Sequence, residues 1–246
     1  MAEPAEWLVR QPFAHRGLHG GDVPENSPAA FTAAIGRKFG IECDVRVSVD
    51  GRAVVFHDAE LERLTGHQGL VDQTTVGQLT AFHLSGSQAT VPTLRDMLQV
   101  VAGRVPLLLE LKTDRRRNIH KLCRAVRRDL VGYTGEVAVM SFDPRVGAWF
   151  AKRVRDLPRG LVVTEQDART LTGAIKRRLA FWKAKPQFLA CDIRDLPSRF
   201  AASHTSADVP LLSWTVKSAA HLDTARDAGA TPIMEGPGVA AWEQAS

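Results

Sequence analysis

Along the chain, short unbroken apolar runs alternate with longer mixed stretches. Short runs bounded by turn residues read as strands buried on both faces, and the mixed stretches as helices. The runs at 12–14, 41–47, 53–56, 105–112, 137–142, 160–164, 188–192, 209–216 and 232–235 predict strands. Helices are expected at 28–37, 93–101, 118–130, 144–154, 167–183, 197–203 and 218–228. Asn26 or Ser27 would cap the first of these and Ser218 the last. Residues 59–90 lack clear periodicity and are expected to form an insertion with one short helix near 75–81. Asp50-Gly51 is a turn signal, so 41–47 and 53–56 read as a hairpin. Counting that hairpin as one excursion gives eight strands. Such alternation predicts a parallel α/β sheet with right-handed crossovers. The expected fold is a TIM-like (β/α)8 barrel, with residues 1–246 forming a single domain. An open doubly wound sheet is the alternative, but no Gly-x-Gly-x-x-Gly turn follows the first strand.

Composition supports this picture without sharpening it. The 246 residues are close to the roughly 250 of a typical single barrel, and 44% hydrophobic content is enough for a normal core. The net charge of +5 favours anionic substrates or surfaces only weakly. Basic residues cluster at Arg115-Arg116-Arg117 and Lys176-Arg177-Arg178, on different expected helices and without interleaved aromatics, so no nucleic-acid partner is expected. The stretch 174–185 adds Phe181 and Trp182 to its basic residues. It is expected to be an ordinary outer helix with its apolar face on the sheet, membrane contact being the less favoured reading. Cys43, Cys123 and Cys191 form no CxxC pair and no disulfide framework. With no apolar leader and no membrane-length run, a soluble cytoplasmic protein is expected.

The chemistry gathers around ECDVRVSVDGRAVVFHD at 42–58. Glu42 and Asp44 lie two apart in a strand, so their carboxylates point the same way. His57-Asp58 ends the next apolar run, Glu110 and Lys112 close another, and His15-Arg16-Gly17 closes the first. In a parallel barrel these positions fall at the carboxyl ends of strands, where active sites sit. Three buried carboxylates are costly unless a cation or hydrogen bonds compensate. Oxygen ligands alone favour a hard ion, Mg2+ or Ca2+, over Zn2+. His15 and His57 are the candidate proton shuttles. Arg16 and Lys112 are placed to stabilise charge on a phosphoryl group, and Trp214 to wall the substrate or fill the core.

The motifs HRG at 15–17, PENS at 24–27, ECDV at 42–45, VFHD at 55–58, LELK at 109–112, SF at 141–142 and WTV at 214–216 occur in that order. As a set they resemble the glycerophosphodiester phosphodiesterase family from residue 13 to about 236. The resemblance implies a divalent metal held by Glu42, Asp44 and Glu110, acid–base work by His15 and His57, and phosphate contact by Arg16 and Lys112. It implies a small-molecule phosphodiester substrate, with Asn26 ordering the loop near the metal. His15 is expected to act as base and His57 as acid. A phospholipid diesterase at a membrane surface and a catalytically silent diester-binding barrel are the rival readings. Two positions depart from the family pattern: Lys217, where Asn usually follows WTV, and the last strand, which ends Met234-Glu235-Gly236.

Overall fold

The structure, a computed structural model, describes residues 6–113, 119–166, 168–206 and 209–245. The basic run at 115–117 and the expected helix starts at 118 and 167 lie outside the described residues. In chain order the elements are β1 (Phe13–His15), α1 (Pro28–Gly36), β2 (Gly40–Val47), β3 (Ala53–Val55), α2 (Glu62–Thr65), α3 (Val76–Leu79), α4 (Leu94–Val101), β4 (Leu107–Leu111) and α5 (Ile119–Asp129). Then follow β5 (Val137–Ser141), α6 (Pro144–Arg153), β6 (Arg159–Val163), α7 (Leu171–Ala184), β7 (Phe188–Asp192), α8 (Arg199–His204), β8 (Leu211–Val216), α9 (Ala219–Asp227), β9 (Thr231–Met234) and α10 (Pro237–Ala245). Every expected strand is present. Helices α2 and α10 were not expected from the sequence, nor were three short 3-10 turns at Glu6–Val9, Val71–Gln73 and Ile193–Asp195.

By contact the chain divides into two compact units, Met1–His15 with Val137–Ser246, and Arg16–Glu136. In the first, β1, β9, β8, β7, β6 and β5 lie side by side in that order, all parallel. Strand β7 is buried at every position, as a strand covered on both faces must be. Helix α6 approaches α7 at Gly147, where an added Cβ would stand 2.6 Å from the Ala184 carbonyl oxygen.

Helix α7 corrects one expectation. Its fully buried residues are Gly173 and Ala184, while Leu171, Ile175, Leu179 and Trp182 are exposed. The inner face is made of small residues, so its large apolar side chains are left outside.

In the second unit, β2 pairs in parallel with β4 and antiparallel with β3. The hairpin at Asp50-Gly51 therefore forms as expected, and among the described residues the parallel strands number six in one unit and two in the other. The insertion shares a core with the segments that flank it: Leu61, Leu64, Val71, Leu79 and Leu84 bury together with Val54, Phe56 and Val91. Reciprocal caps open α3 (Thr75 with Gln78) and α4 (Thr93 with Asp96), each satisfying two otherwise orphaned N–H groups. Among the described residues, no helix is long and apolar enough to cross a membrane.

Candidate active site

Strand alternation puts Glu42 and Asp44 on one face of β2, and the parallel register sets Asp44 beside Glu110 of β4. All three carboxylates are buried, and one oxygen from each lies within 4.8 Å of the others. Two cations close on them. Lys112 Nζ stands 2.7 Å from Glu110 Oε1 and 3.1 Å from Asp44 Oδ1. Arg16 Nε stands 3.2 Å from Asp44 Oδ2, and the Arg16 backbone N–H donates to Glu42 Oε2 at 3.1 Å.

The loop that delivers Arg16 is held by backbone geometry. Arg16 and Asn26 both adopt φ 56°, a left-handed conformation that Asn tolerates better than most residues. Asn26 Nδ2 donates to Asp44 Oδ2 at 2.9 Å, and its Oδ1 accepts the Asp44 backbone N–H. Gly17, at φ 77°, packs so closely on α1 that a Cβ would lie 2.8 Å from the Ala30 carbonyl carbon. Glu25 braces the same loop by accepting from Arg16 Nη1 at 2.8 Å and from Arg63 Nη2 at 2.8 Å.

The acids do not share charge equally. Burial, then Asp44 and Glu110, push the Glu42 carboxyl well above the usual range. Burial also raises Glu110, against the pull of Lys112. At Asp44 burial acts the same way, but Lys112, Arg16 and His57 outweigh it and hold this carboxyl far below the usual range. Burial likewise opposes the charge of Lys112, yet Asp44 and Glu110 raise it. This donor set fits a hard divalent cation. Oxygens sharing one such ion at about 2.0–2.6 Å stand no more than roughly 4–5 Å apart. The upward shift at Glu42 is also the charge excess that a dication would relieve.

His57 follows β3, its carbonyl held by Arg46 Nε at 2.7 Å. Its Nδ1 is 2.6 Å from Asp58 Oδ1, and Asp58 is in turn gripped by Arg63. A carboxylate on Nδ1 fixes the ring and leaves Nε2 for proton transfer. Burial lowers the His57 pKa, with Asp44 pulling the other way. A small open cleft runs beside this region, lined by Arg46, Leu70, Val71, Lys112 and Ile119 among others.

His15 and Trp214 belong to the other unit. His15 Nδ1 lies 2.5 Å from Glu235 Oε2, the same kind of histidine–carboxylate pair as His57–Asp58. The second oxygen, Glu235 Oε1, is 2.6 Å from Lys217 Nζ. Trp214 is half-buried, donates from Nε1 to the Ala190 carbonyl at 3.0 Å and meets Phe142 edge to face.

Comparison with known proteins decides the family. The glycerophosphoryl diester phosphodiesterase family model matches residues 15–235. The chain belongs to this family. A glycerophosphodiester phosphodiesterase of Bacillus altitudinis is 36% identical over 107 residues, 41% of this chain and 43% of that protein. One of Caldanaerobacter subterraneus is 33% identical over 110 residues, 41% of this chain and 44% of that protein. The chain thus matches somewhat under half the length of these curated relatives. Among solved structures, an Oleispira antarctica phosphodiesterase in complex with the product sn-glycerol-3-phosphate superposes with a TM-score of 0.82 at 21% identity, covering 97% of this chain and 98% of that one. A Thermotoga maritima glycerophosphodiester phosphodiesterase gives 0.72 at 21% identity, covering 92% and 94%. The fold is the α/β TIM-like barrel expected from the sequence, and the family uses a divalent metal.

The sequence places His15, Arg16, Glu42, Asp44, His57, Glu110 and Lys112 at neighbouring strand ends; of these, Arg16, Glu42, Asp44, His57, Glu110 and Lys112 lie together in the second unit. Of the supporting carboxylates, the sequence offers Asp58 either to orient His57 or to cap the loop, and the structure sets it 2.6 Å from His57 Nδ1. The sequence gives no supporting role to Glu25, which is legible only as part of the PENS motif, or to Glu235, which is legible only as a departure from the family pattern.

Proposed function

We propose that the protein is a metal-dependent phosphodiesterase that hydrolyses glycerophosphodiesters to an alcohol and glycerol 3-phosphate, with residues 1–246 acting as one catalytic domain. The observation that carries this reading is the buried Glu42–Asp44–Glu110 cluster with Lys112 and Arg16 against it, in a chain of this family. Phosphodiester hydrolysis needs positive charge at the non-bridging oxygens and proton transfer at the attacking and leaving oxygens. Glu42, Asp44 and Glu110 would hold one Mg2+ or Ca2+. When bound, the ion supplies Lewis-acid polarisation of the phosphoryl group. Arg16 and Lys112 stay cationic and offset the charge that builds on the phosphoryl oxygens.

The histidines divide the proton work. Burial disfavours the His57 imidazolium, so this ring rests neutral near pH 7 and is set to take a proton from the attacking hydroxyl. Asp58 keeps its Nδ1–H and steadies the charged form as it appears. This reverses the roles expected from the sequence. His15, its Nδ1 held by Glu235, gives the proton to the leaving alcohol oxygen. It is joined in the chain to Arg16, whose N–H binds Glu42. Trp214 presents an apolar wall for the glycerol carbons. A small diester is the one partner this reading needs, and the buried thiols of Cys43 and Cys191 suit a reducing cytoplasmic setting.

A coupled glycerol 3-phosphate release assay tests the reading. It would use the diesters of choline, ethanolamine, glycerol and inositol, in EDTA and with Mg2+ or Ca2+ restored. Release that requires the added metal is expected. No release from any diester with either metal would overturn it.

A further inference from the structure

Of the large hydrophobic residues left exposed among the described residues, Leu171, Ile175, Leu179 and Trp182 all lie on α7. At 3.6 residues per turn they fall within one stripe roughly 80° wide. Lys176 and Lys183 border it on one side and Arg178 on the other, with Lys185 just past the helix end, all four exposed. Residues 171–185 contain no Asp or Glu.

The stripe is not needed to hold the helix in place. The inner side is seated by Gly173 and Ala184, with Gly147 of α6 against Ala184. Arg177 reaches inward, donating to the Ala168 carbonyl at 2.9 Å and pairing with Glu165 at 3.4 Å. Phe181 packs on His204 and Phe200, with centroids 4.5 and 6.4 Å away. Anchorage and exposed apolar surface thus occupy opposite sides of one helix.

We propose that α7 docks the protein on an anionic bilayer surface. The helix lies in the lipid–water interface, with Leu171, Ile175, Leu179 and Trp182 facing the acyl chains and the four flanking cations among the headgroups. An indole belongs at that depth, its ring apolar and its N–H wet. The charge pattern favours lipid over a second copy of the chain. A two-fold contact would set the same patch against itself, bringing four cations against four with no acid on the helix to pair them. The proposal stands apart from the carboxylate cluster, because it needs no catalytic residue.

Co-sedimentation of the full chain with vesicles tests it, using phosphatidylcholine alone and phosphatidylcholine mixed with phosphatidylglycerol. Binding is expected to the anionic vesicles and to weaken as salt is added. The Leu179→Glu/Trp182→Glu variant should lower partitioning by roughly tenfold or more. Its circular dichroism and mass in solution should be unchanged, since both residues are exposed. Each of Lys176→Ala and Lys183→Ala should cost about fivefold. Three results overturn the proposal: wild-type protein left in the supernatant with anionic vesicles, a double variant that binds as well as wild type, or a wild-type dimer in solution that the double variant dissolves.

Discussion

Replacing Glu42 by Gln tests the electrostatic logic of the site directly. With all groups ionised, the carboxylates of Glu42, Asp44 and Glu110 (−3) face Lys112 and Arg16 (+2), a formal balance of −1. The excess falls on Glu42, which burial and its two acidic neighbours push well above the usual range. A carboxyl raised in the folded state costs stability as pH rises from its unfolded value of about 4.3 toward the raised one, because the unfolded chain ionises first. The amide removes that cost and brings the balance to zero, while its oxygen still accepts the Arg16 N–H. Metal-free Glu42→Gln should therefore be more stable than wild type at neutral pH, by about 1–3 kcal/mol if the cost is that of a poorly satisfied buried group. At about 2–4 °C per kcal/mol for a chain of this size, that is a rise of roughly 2–12 °C in Tm. With Mg2+ or Ca2+ at 100 times its Kd, wild type should gain about 2.7 kcal/mol, while the variant, short of one ligand, gains little. Scanning calorimetry in EDTA and across a metal titration reads both effects. A variant no more stable than wild type in EDTA, yet still stabilised by metal, would refute the argument that these carboxylates cage the ion.

Other perturbations separate the histidines from their supports. His57→Ala should lower kcat by about 10²–10⁴-fold while keeping the metal-induced rise in Tm, and near-normal turnover would remove His57 from the chemistry. Since burial lowers the His57 pKa and the base must be neutral, kcat/KM should fall on the acid side with a midpoint below about 6.5; a midpoint above that value would contradict the assignment of base. Glu235→Gln should slow kcat by at least roughly tenfold by loosening the His15 tautomer, toward a limit near the 10⁴-fold seen when a triad carboxylate becomes an amide. Unchanged kcat in this variant would mean that Glu235 only pairs with Lys217.

The fold was readable because strands buried on both faces write continuous apolar runs, and those runs survive without knowledge of what covers them. The insertion was not readable for the opposite reason. Its core joins Leu61, Leu64, Leu79 and Leu84 from one-turn helices and loops too short to show a period. The carboxylate cluster was legible because alternation sets Glu42 and Asp44 on one face and Glu110 closes another buried run, both at strand ends of a parallel barrel. His15–Glu235 was not, because 220 residues separate the partners. Helix α7 misled for a subtler reason. It has two weak stripes, one of Gly and Ala with Phe181 and one of Leu171, Ile175, Leu179 and Trp182, and hydrophobicity favours turning the second inward. Close approach to α6 at Gly147 decides for the first, and steric fit of that kind is invisible in a count of apolar residues.

Lys217 and Glu235, the two departures from the family pattern, bear on each other. They are ion-paired at 2.6 Å, and Glu235 spends its other oxygen on His15. Lys217 is 57% exposed, so screening by water keeps its pairing energy small. Its effect is instead to claim one carboxylate oxygen and so leave the other to face His15. Neutralising Lys217 alone leaves the His15–Glu235 contact in place, whereas neutralising Glu235 weakens its contacts with both His15 and Lys217. The two single changes should therefore be unequal, and their combination should cost no more than Glu235→Gln by itself. A double-mutant cycle on kcat measures that coupling, and strict additivity would show that Lys217 acts on the substrate independently of Glu235.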